Sequence, residues 1–399
     1  MRFKTQHSGS NPLSTKLFSK KLRVSTLLLS SVLLVMGCSS SLKPVEYKPA
    51  KLPELKQPSQ SLSRVWQDTI GGAIKTDPLR LQLALLDGVT LAASRDGEIE
   101  AWSVTGQRLW QRDLDQPISS GVVAAGDLAL VTTRSGQVLA LDPKTGTTRW
   151  TAQTTASVLS PALISDDRVV LSANDGSVTG LEQATGKQVW SFSIPVPSLS
   201  VRGAAAPVLF DQNTVIVAGA TGRIYGLDLR TGIPRWERRV AVSSGRTDVQ
   251  RLIDIDGDPL VSGRQLYVVS YQGQIVAVDL DSQRVRWDAD SSSLRGLTTG
   301  LGNVYAATID GHLQAYDEKD GQLLWELKDL AHRQLSNPVV LGRYLVVGDY
   351  DGYLHIIEQT EGKIVGRVRT SGAIRQLNVI EDQLLVNSAT GALSIWRAS

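Results

Sequence analysis

The sequence predicts an all-β fold, and three features of its 399 residues indicate it. The first is a phrase that occurs eight times: a small polar pair ending in Gly, followed by alternating apolar positions. The second is a Thr-Gly or Asp-Gly pair followed by Trp, which comes after five of the eight copies. The third is that no stretch of comparable length keeps a helical period. The repeated glycines, which lie 39, 40, 46, 51, 38, 41 and 39 residues apart, are Gly97, Gly136, Gly176, Gly222, Gly273, Gly311, Gly352 and Gly391.

A repeat of about 40 residues indicates an array of similar units. In the second copy, residues 121–124, 128–132, 138–141 and 147–150 are runs rich in β-branched residues, separated by Gly, Asp and Pro turn signals. Four such strands make one antiparallel blade, and blades packed in a ring cover each other and leave few exposed edges. The sequence therefore predicts an eight-bladed β-propeller in which the repeated Trp fills the wedge between blades.

The ring must also close. The last repeat ends at Trp396, so residues 397–399 leave no room for a fourth strand. Residues 64–68 contain Val65-Trp66, which has the form of Leu109-Trp110 in the first repeat. We predict that this N-terminal strand completes the last blade, and that the propeller domain spans residues 64–399.

The N-terminal residues 1–37 have the form of a lipoprotein signal peptide. Lys16, Lys20, Lys21 and Arg23 precede a short apolar core at residues 27–36, which is too short to span a bilayer. The core leads to Gly37-Cys38, which resembles the bacterial lipoprotein box. Cys38 is the only cysteine, so no internal disulfide is possible. We predict lipidation of Cys38; by the same resemblance, Ser39 implies sorting to the outer membrane, on its periplasmic face.

The composition beyond the leader limits the possible partners. Residues 1–37 hold six Lys/Arg and no Asp/Glu, which leaves 36 basic and 39 acidic residues and a formal charge of −3. Without a run of Lys and Arg, the mature chain does not have the composition of a nucleic-acid-binding protein. Residues 38–63 contain four prolines and few large apolar residues, so we predict a flexible tether that begins with the lipidated Cys38.

A search for chemistry finds no catalytic motif. The histidines beyond the leader, His312, His332 and His355, lie on different repeats without metal-ligand spacing, and we interpret His312 and His355 as ordinary polar strand residues. The run from Asp254 to Asp258 begins like a calcium loop, but Gln265 stands where the loop needs a bidentate Glu. The sequence thus predicts no catalytic residues, no metal site and no cofactor.

The repeats resemble those of the PQQ-like family of eight-bladed propellers. The resemblance rests on Ala140-Leu141-Asp142, Thr145-Gly146 and Trp150, and it covers residues 64–399. Quinone-dependent dehydrogenases of this family are expected to carry an adjacent Cys pair and calcium ligands. Because Cys38 is the only cysteine, the departure from that pattern argues against a dehydrogenase.

The lipoprotein signal, the tether and the single propeller together resemble, more narrowly, the propeller lipoproteins of the outer-membrane β-barrel assembly (BAM) machinery. The most specific match is residues 199–203, followed by Asp248, Arg251-Leu252 and residues 254–256. The resemblance implies a non-catalytic scaffold that binds the periplasmic domains of BamA and helps to deliver unfolded outer-membrane proteins. The alternatives are a propeller that binds another envelope complex or peptidoglycan, and a quinoprotein enzyme that has lost its motifs.

A partner site is predicted where the repeat lengthens. The two long intervals place extra residues after Trp190 and after Trp236, in loops 194–206 and 241–258. Both loops connect a fourth strand to the next first strand, so they emerge as neighbours on one face and present apolar and charged residues, as an interface does. Alternatively, Leu199 and Val201 pack into the ring and Arg202 pairs with Asp254 or Asp256. The predicted partner-binding residues are Leu199, Val201, Arg202, Arg246, Asp248, Arg251, Asp254 and Asp256.

Overall fold

The computed structural model of the protein describes residues 47–72, 81–197, 205–241, 255, 257–270 and 273–398. All regular secondary structure in these residues is β-strand, arranged in eight four-stranded antiparallel sheets. First strands of neighbouring sheets contact each other, and the eight sheets form a ring. The predicted eight-bladed β-propeller is therefore confirmed. Within the same described residues, no helix has the length and apolar character needed to cross a membrane.

Seven blades each use four consecutive strands, and the eighth combines the last three strands of the chain with the first strand, β1 (Leu62–Thr69). The strands of blades one to four are β2 (Ala84–Leu86), β3 (Val89–Ala93), β4 (Glu98–Trp102), β5 (Arg108–Asp113), β6 (Ile118–Ala125), β7 (Leu128–Thr133), β8 (Gln137–Leu141), β9 (Thr148–Gln153), β10 (Leu163–Ile164), β11 (Arg168–Ser172), β12 (Ser177–Glu182), β13 (Gln188–Ser193), β14 (Val208–Asp211), β15 (Thr214–Ala218), β16 (Arg223–Asp228) and β17 (Pro234–Arg239). Those of blades five to eight are β18 (Leu260–Ser262), β19 (Gln265–Val269), β20 (Gly273–Asp279), β21 (Arg284–Ser291), β22 (Thr298–Gly300), β23 (Asn303–Ala307), β24 (Leu313–Asp317), β25 (Leu323–Leu327), β26 (Val339–Leu341), β27 (Tyr344–Gly348), β28 (Tyr353–Glu358), β29 (Ile364–Arg369), β30 (Ile374–Ile380), β31 (Gln383–Ser388) and β32 (Ala392–Ala398).

Each blade is a meander, and its strands differ in burial. Every residue of β7, a second strand, is buried, whereas buried and exposed residues mix along β9 at the rim. The core is thus made by the middle strands, which have neighbouring blades on both faces. Connections from a fourth strand to the next first strand all emerge on one side of the ring, here called the connection face. Turns between third and fourth strands lie on the opposite side, here called the turn face.

The repeated Trp side chains pack between blades. Trp150 on β9 is 8% exposed, and its Nε1 donates a hydrogen bond of 2.9 Å to Gln183 O in the next blade. Gly186 in that blade has a φ of 72°, and a Cβ there would lie 2.3 Å from Trp150 Cε3, so both the turn and the ring require glycine. The same contact recurs at Trp110 with Gly146, Trp190 with Gly232, Trp287 with Gly321 and Trp325 with Gly362. These contacts agree with the predicted packing role.

The ring closes through β1, as the sequence predicts. β1 pairs antiparallel with β32, from Leu62 opposite Ala398 to Thr69 opposite Ala392, so the strand is slightly longer than the predicted residues 64–68. A Cβ on Gly106 would lie 2.7 Å from Trp66 Cγ. Trp66 therefore takes, between blades eight and one, the place that Trp150 takes between blades two and three.

Residues 47–61 lie against blade seven, although the sequence predicts a flexible tether there. Three of their backbone amides donate to propeller carbonyls: Ala50 to Ala331 O at 2.9 Å, and Ser59 and Gln60 to Val365 O at 3.0 and 3.2 Å. The structure thus corrects the expectation for residues 47–61, because these bonds fix the segment to the propeller. The rest of the predicted tether, with the signal peptide and Cys38, lies outside the described residues.

Candidate functional site

Two long connections lie side by side on the connection face. Residues 194–207 join β13 to β14, and residues 240–259 join β17 to β18. They lead from blade three to four and from blade four to five. The sequence predicts that the two loops are neighbours, and this strand order agrees with that prediction. The described residues define where each loop begins and ends.

The first loop begins at a fixed point. The backbone N–H of Ile194 donates a hydrogen bond of 2.8 Å to Gly176 O, and the Ile194 side chain is only 5% exposed. A Cβ on Gly219 would lie 2.6 Å from Ile194 Cγ2, so the isoleucine fills space that a larger residue at 219 would need. The loop leaves the ring from a buried anchor between blades three and four.

The second loop has anchors of the same kind. Val240 and Ala241 are buried, and their backbone N–H groups both donate to Gly222 O, at 2.9 and 3.1 Å. Further along, Ile255 is 3% exposed and belongs to the apolar core between blades four and five. Ile255 thus fixes the end of this connection to the ring before β18 begins.

The two loops are joined directly at their returning ends. The backbone N–H of Ala206, at the end of the first loop, donates a hydrogen bond of 2.8 Å to Asp258 Oδ1, at the end of the second. Ala205, next to it, is 1% exposed and packs in the same core as Ile255. The positions of the two loop ends are therefore coupled.

A small cleft of about 50 Å³ with a mixed polar and apolar lining lies at the base of the loops. Its polar lining includes Asn174, from the turn between β11 and β12, and Ser177, the first residue of β12. Val196, also in the lining, is 45% exposed. The apolar residues around the cleft are Ala173, Val178, Ile194, Val196, Ala205, Ala218, Ala220 and Ile255. Side chains from blades three and four and from both loops thus meet at one place on the connection face.

The predicted contact residues themselves are not among the described residues. This applies to all eight, Leu199, Val201, Arg202, Arg246, Asp248, Arg251, Asp254 and Asp256. Their role in binding a partner stays a prediction, and so does the alternative in which Arg202 pairs within the loops. Within the described ranges, no group of three or more His, Cys, Asp or Glu side chains could hold a metal ion.

A buried charged network lies at the connection-face end of blade seven. Arg333 Nε donates to Asp349 Oδ2 at 2.7 Å, and His355 Nε2 lies 3.1 Å from the same oxygen. Arg367 Nε lies 3.2 Å from His355 Nδ1. Because an arginine Nε can only donate, His355 Nδ1 accepts, and the ring proton is on Nε2, facing Asp349.

The charge states follow from burial and hydrogen bonding. Burial lowers the pKa of His355, and the hydrogen bond to Asp349 only partly offsets this. Burial alone would raise the pKa of Asp349, but hydrogen bonds from His355, the Tyr353 N–H and Arg333 lower it overall. At neutral pH the network therefore holds a charged Asp349–Arg333 pair beside a neutral histidine.

The Asp349–His355 pair resembles an acid–base dyad, but its geometry prevents acid–base chemistry on a substrate. Both side chains are fully buried, and both ring nitrogens of His355 already have partners. The network is therefore structural.

His355 therefore differs from the ordinary polar strand residue that the sequence predicts, because it is fully buried in a charged network. His312, by contrast, is only partly buried in blade six, with its Nδ1 2.9 Å from Glu326 Oε1. One feature of the sequence could have indicated this network. Asp349 stands three residues before the repeated Gly, where other repeats carry Ser94, Ser270 or Thr308.

Comparison with known proteins identifies the family. A family model described as "Outer membrane protein assembly factor BamB" matches residues 95–300 and 297–398. The chain belongs to the BamB family. The narrower resemblance found in the sequence is thereby confirmed.

Several BamB-family relatives match over most of the chain. The assembly factor BamB of Pseudomonas aeruginosa is 40% identical over 344 residues, which cover 86% of this chain and 90% of the relative. BamB of Escherichia coli K12 is 32% identical over 380 residues, covering 92% and 96%. The crystal structure of BamB from Moraxella catarrhalis superimposes with a TM-score of 0.79 at 38% identity, over 84% of this chain and 100% of that chain.

Dehydrogenase propellers share only the fold with this BamB-family chain. The quinohemoprotein alcohol dehydrogenase from Comamonas testosteroni superimposes with a TM-score of 0.68 at 12% identity, over 84% of this chain and 76% of that chain. Such a likeness carries no information about activity.

Proposed function

We propose that this chain is a non-catalytic scaffold of the outer-membrane β-barrel assembly machinery. In this role it binds the periplasmic domains of BamA and assists the delivery and insertion of outer-membrane proteins. The observation that carries the proposal is the family match over residues 95–300 and 297–398, together with relatives named outer membrane protein assembly factors.

The docking site in this proposal is the pair of loops on the connection face. Leu199 and Val201 supply the apolar centre of the contact, and Arg202 supplies several hydrogen-bond donors in a fixed plane. Arg246, Asp248, Arg251, Asp254 and Asp256 form the charged rim, and the aspartates orient Arg202 or meet a basic residue of the partner. The hydrogen bond between Ala206 and Asp258 supports the proposal, because it holds the two loop ends in one arrangement before a partner arrives.

The anchor in this proposal is the lipid on Cys38, which holds the protein on the periplasmic face of the outer membrane. Each buried methylene of an acyl chain contributes about 0.8 kcal/mol, and stable attachment needs more than one chain. The lack of any cysteine besides Cys38 also argues against the enzyme alternative. By the family resemblance, a quinoprotein dehydrogenase is expected to carry an adjacent Cys pair, and this sequence has no second cysteine.

Purification of the native lipoprotein from detergent-solubilised membranes tests the proposal. BamA is expected among the proteins that co-purify in stoichiometric amounts. Recovery of a different envelope complex, or of peptidoglycan, in place of BamA would favour the generic binding module. Dehydrogenase activity after addition of quinone cofactor and calcium would favour the enzyme and overturn the non-catalytic role.

A further inference from the structure

The segment of residues 47–61, here called the strap, runs along the outside of blade seven. Its first residue, Tyr47, stacks on His332, with ring centroids 4.7 Å apart. His332 lies in the connection from β25 to β26, so the strap starts on the connection face. Its other end leads into β1, which begins at Leu62 opposite Ala398, the last residue of β32. The strap therefore crosses the blade from the connection face to the turn face.

Apolar side chains attach the strap to the ring. Leu52 and Leu55 are half-buried and pack against the core between blades six and seven, next to Trp325. Lys48 and Lys56, by contrast, are exposed. The strap thus has an inner side of leucines and an outer side of lysines.

The buried network of blade seven binds the strap backbone. Arg333 Nη1 donates to Ala50 O at 3.0 Å, and Arg367 Nη1 donates to Pro53 O at 3.2 Å. Both arginines also bond to the interior of the blade: Arg333 donates to Asp349, and Arg367 donates to His355. Hydrogen bonds from charged donors are among the stronger ones in proteins.

Blade seven also departs from the repeat where the strap passes. Trp150 lies opposite Ala140, but the matching pair in blade seven is Gly366 opposite Ile356. A Cβ on Gly366 would lie 2.2 Å from Gln60 O, so the strap backbone occupies the space beside this strand. Blade seven thus lacks the repeated Trp at the position where the strap packs.

We propose that the strap is a fixed spacer that sets the distance between the propeller and the lipid bilayer. This inference rests on the lipid anchor at Cys38 in the proposed function. With the strap bound, only residues 39–46 link the anchor to Tyr47, and an extended chain of that length reaches about 30 Å. Without it, the free chain from Cys38 to Leu62 would reach about 80 Å.

A spacer of fixed length would also orient the propeller for docking. The strap leaves the ring on the connection face at blades six and seven, and the two loops of the proposed docking site lie on the same face at blades three to five. The bilayer therefore restrains one side of this face while the partner binds the other side. The propeller is then oriented by two attachments, which one flexible tether could not do.

The test uses the lipidated full-length protein in vesicles, with Asp310→Cys as the single labelling site. Asp310 is exposed in the turn between β23 and β24, on the connection face next to His332. Energy transfer from a dye at residue 310 to acceptor lipids reports the distance to the bilayer. The double variant Leu52→Ser, Leu55→Ser releases the strap, and Lys48→Ser, Lys56→Ser in the same segment is the matched control.

In the strap variant, transfer is expected to fall, because the r.m.s. length of the free linker grows from roughly 17 Å for nine residues to roughly 27 Å for 24 residues. A spin label at Lys51→Cys in a separate sample is expected to become more mobile in the same variant. The lysine control should change neither signal. Unchanged transfer in a strap variant whose spin label has become mobile would overturn the spacer alone. A wild-type protein that fails to bind vesicles would overturn the anchor, and the spacer with it, while the spin label would still report whether the strap is bound.

Discussion

The backbone N–H of Ala206 donates to Asp258 Oδ1 across 2.8 Å, and this bond connects two loops that are far apart in sequence. Ala206 is only 9% exposed, so its N–H could not readily donate a hydrogen bond to water if the carboxylate were removed. The bond therefore supports the arrangement of both loop ends on the connection face.

We expect Asp258→Ala to weaken partner binding without unfolding the ring. Loss of a hydrogen bond to a charged group costs about 1.5–3 kcal/mol locally, and every 1.4 kcal/mol that reaches the interface corresponds to about ten-fold in Kd. Calorimetric titration with the periplasmic domains of BamA, together with a melting curve, measures both effects. Asp258→Asn is the matched control, because its amide oxygen can still accept from Ala206. Equal affinities of the Ala and Asn variants would show that the bond does not shape the docking site.

The loop residues themselves give a second prediction. Arg202→Ala, and the double variant Leu199→Ala, Val201→Ala, should abolish co-purification of the partner and keep a near-native melting temperature. Central apolar and arginine contacts often cost 2 kcal/mol or more when truncated, roughly 30-fold in affinity. Lys187→Ala, on the turn face, is the control and should bind normally. Lost binding together with a collapsed melting curve would instead favour the alternative in which these side chains pack into the ring.

The sequence predicted the fold well because the repeat itself carries the information. Alternating apolar positions, turn glycines and Trp150-type residues recur with one period, and each residue needs only the next blade as its partner. The closing strand was predictable for the same reason, since Trp66 copies the repeated pattern. Contacts that recur from blade to blade can be inferred from a single copy.

The strap and its network could not be inferred in that way. Leu52 and Leu55 pack at one place in the ring, between blades six and seven, and no periodic pattern in the sequence indicates that place. The absence of Trp at Gly366 was visible in the sequence, but the group that takes its space comes from a segment about 300 residues earlier in the chain. The composition of that segment predicts a mobile tether, but hydrogen bonds from Arg333 and Arg367 fix it to the propeller.

Closure of the ring gives a third prediction. Trp66→Ala should lower the free energy of unfolding by about 3–5 kcal/mol, because truncation of a buried aromatic leaves a cavity. Val65, the adjacent residue, is 41% exposed, so Val65→Ala is the control and should change stability by about 0.5 kcal/mol or less. Denaturant unfolding of both variants measures the difference. Similar stabilities would mean that Trp66 does not close the ring as its contact with Gly106 indicates.

The anchor gives a fourth prediction. Cys38→Ser removes the thiol that the lipid requires, so the variant should accumulate as an unprocessed precursor or be lost from the outer-membrane fraction. Fractionation of cell envelopes, with detection of the protein in each fraction, is the measurement. Ser40→Ala changes a nearby residue but leaves the thiol, and should be sorted normally. Normal processing and sorting of Cys38→Ser would rule out the lipid anchor.

The buried network of blade seven gives a prediction about pH. Burial holds the pKa of His355 below its usual value of 6.5, with Arg367 and Arg333 acting in the same direction and Asp349 opposing them. The unfolded chain therefore binds a proton at a pH where the folded protein does not, and stability falls as the pH drops below about 6.5. The lowered pKa of Asp349 acts in a second, more acidic window, because its contribution is present above the unfolded pKa and is lost as the pH falls through the folded one.

The variant His355→Gln should isolate the first of these two effects. Glutamine removes the titrating ring, so the variant should be less stable than wild type at pH 7.5 but should lose less stability between pH 7.5 and pH 5.5. Urea unfolding at the two pH values measures the slopes. His312→Gln is the control, because His312 contacts Glu326 on another blade and leaves the network intact; its slope should differ from that of His355→Gln. If wild type and His355→Gln lose the same free energy of unfolding over this range, the buried histidine does not titrate on unfolding, and the pH dependence of the protein has another origin.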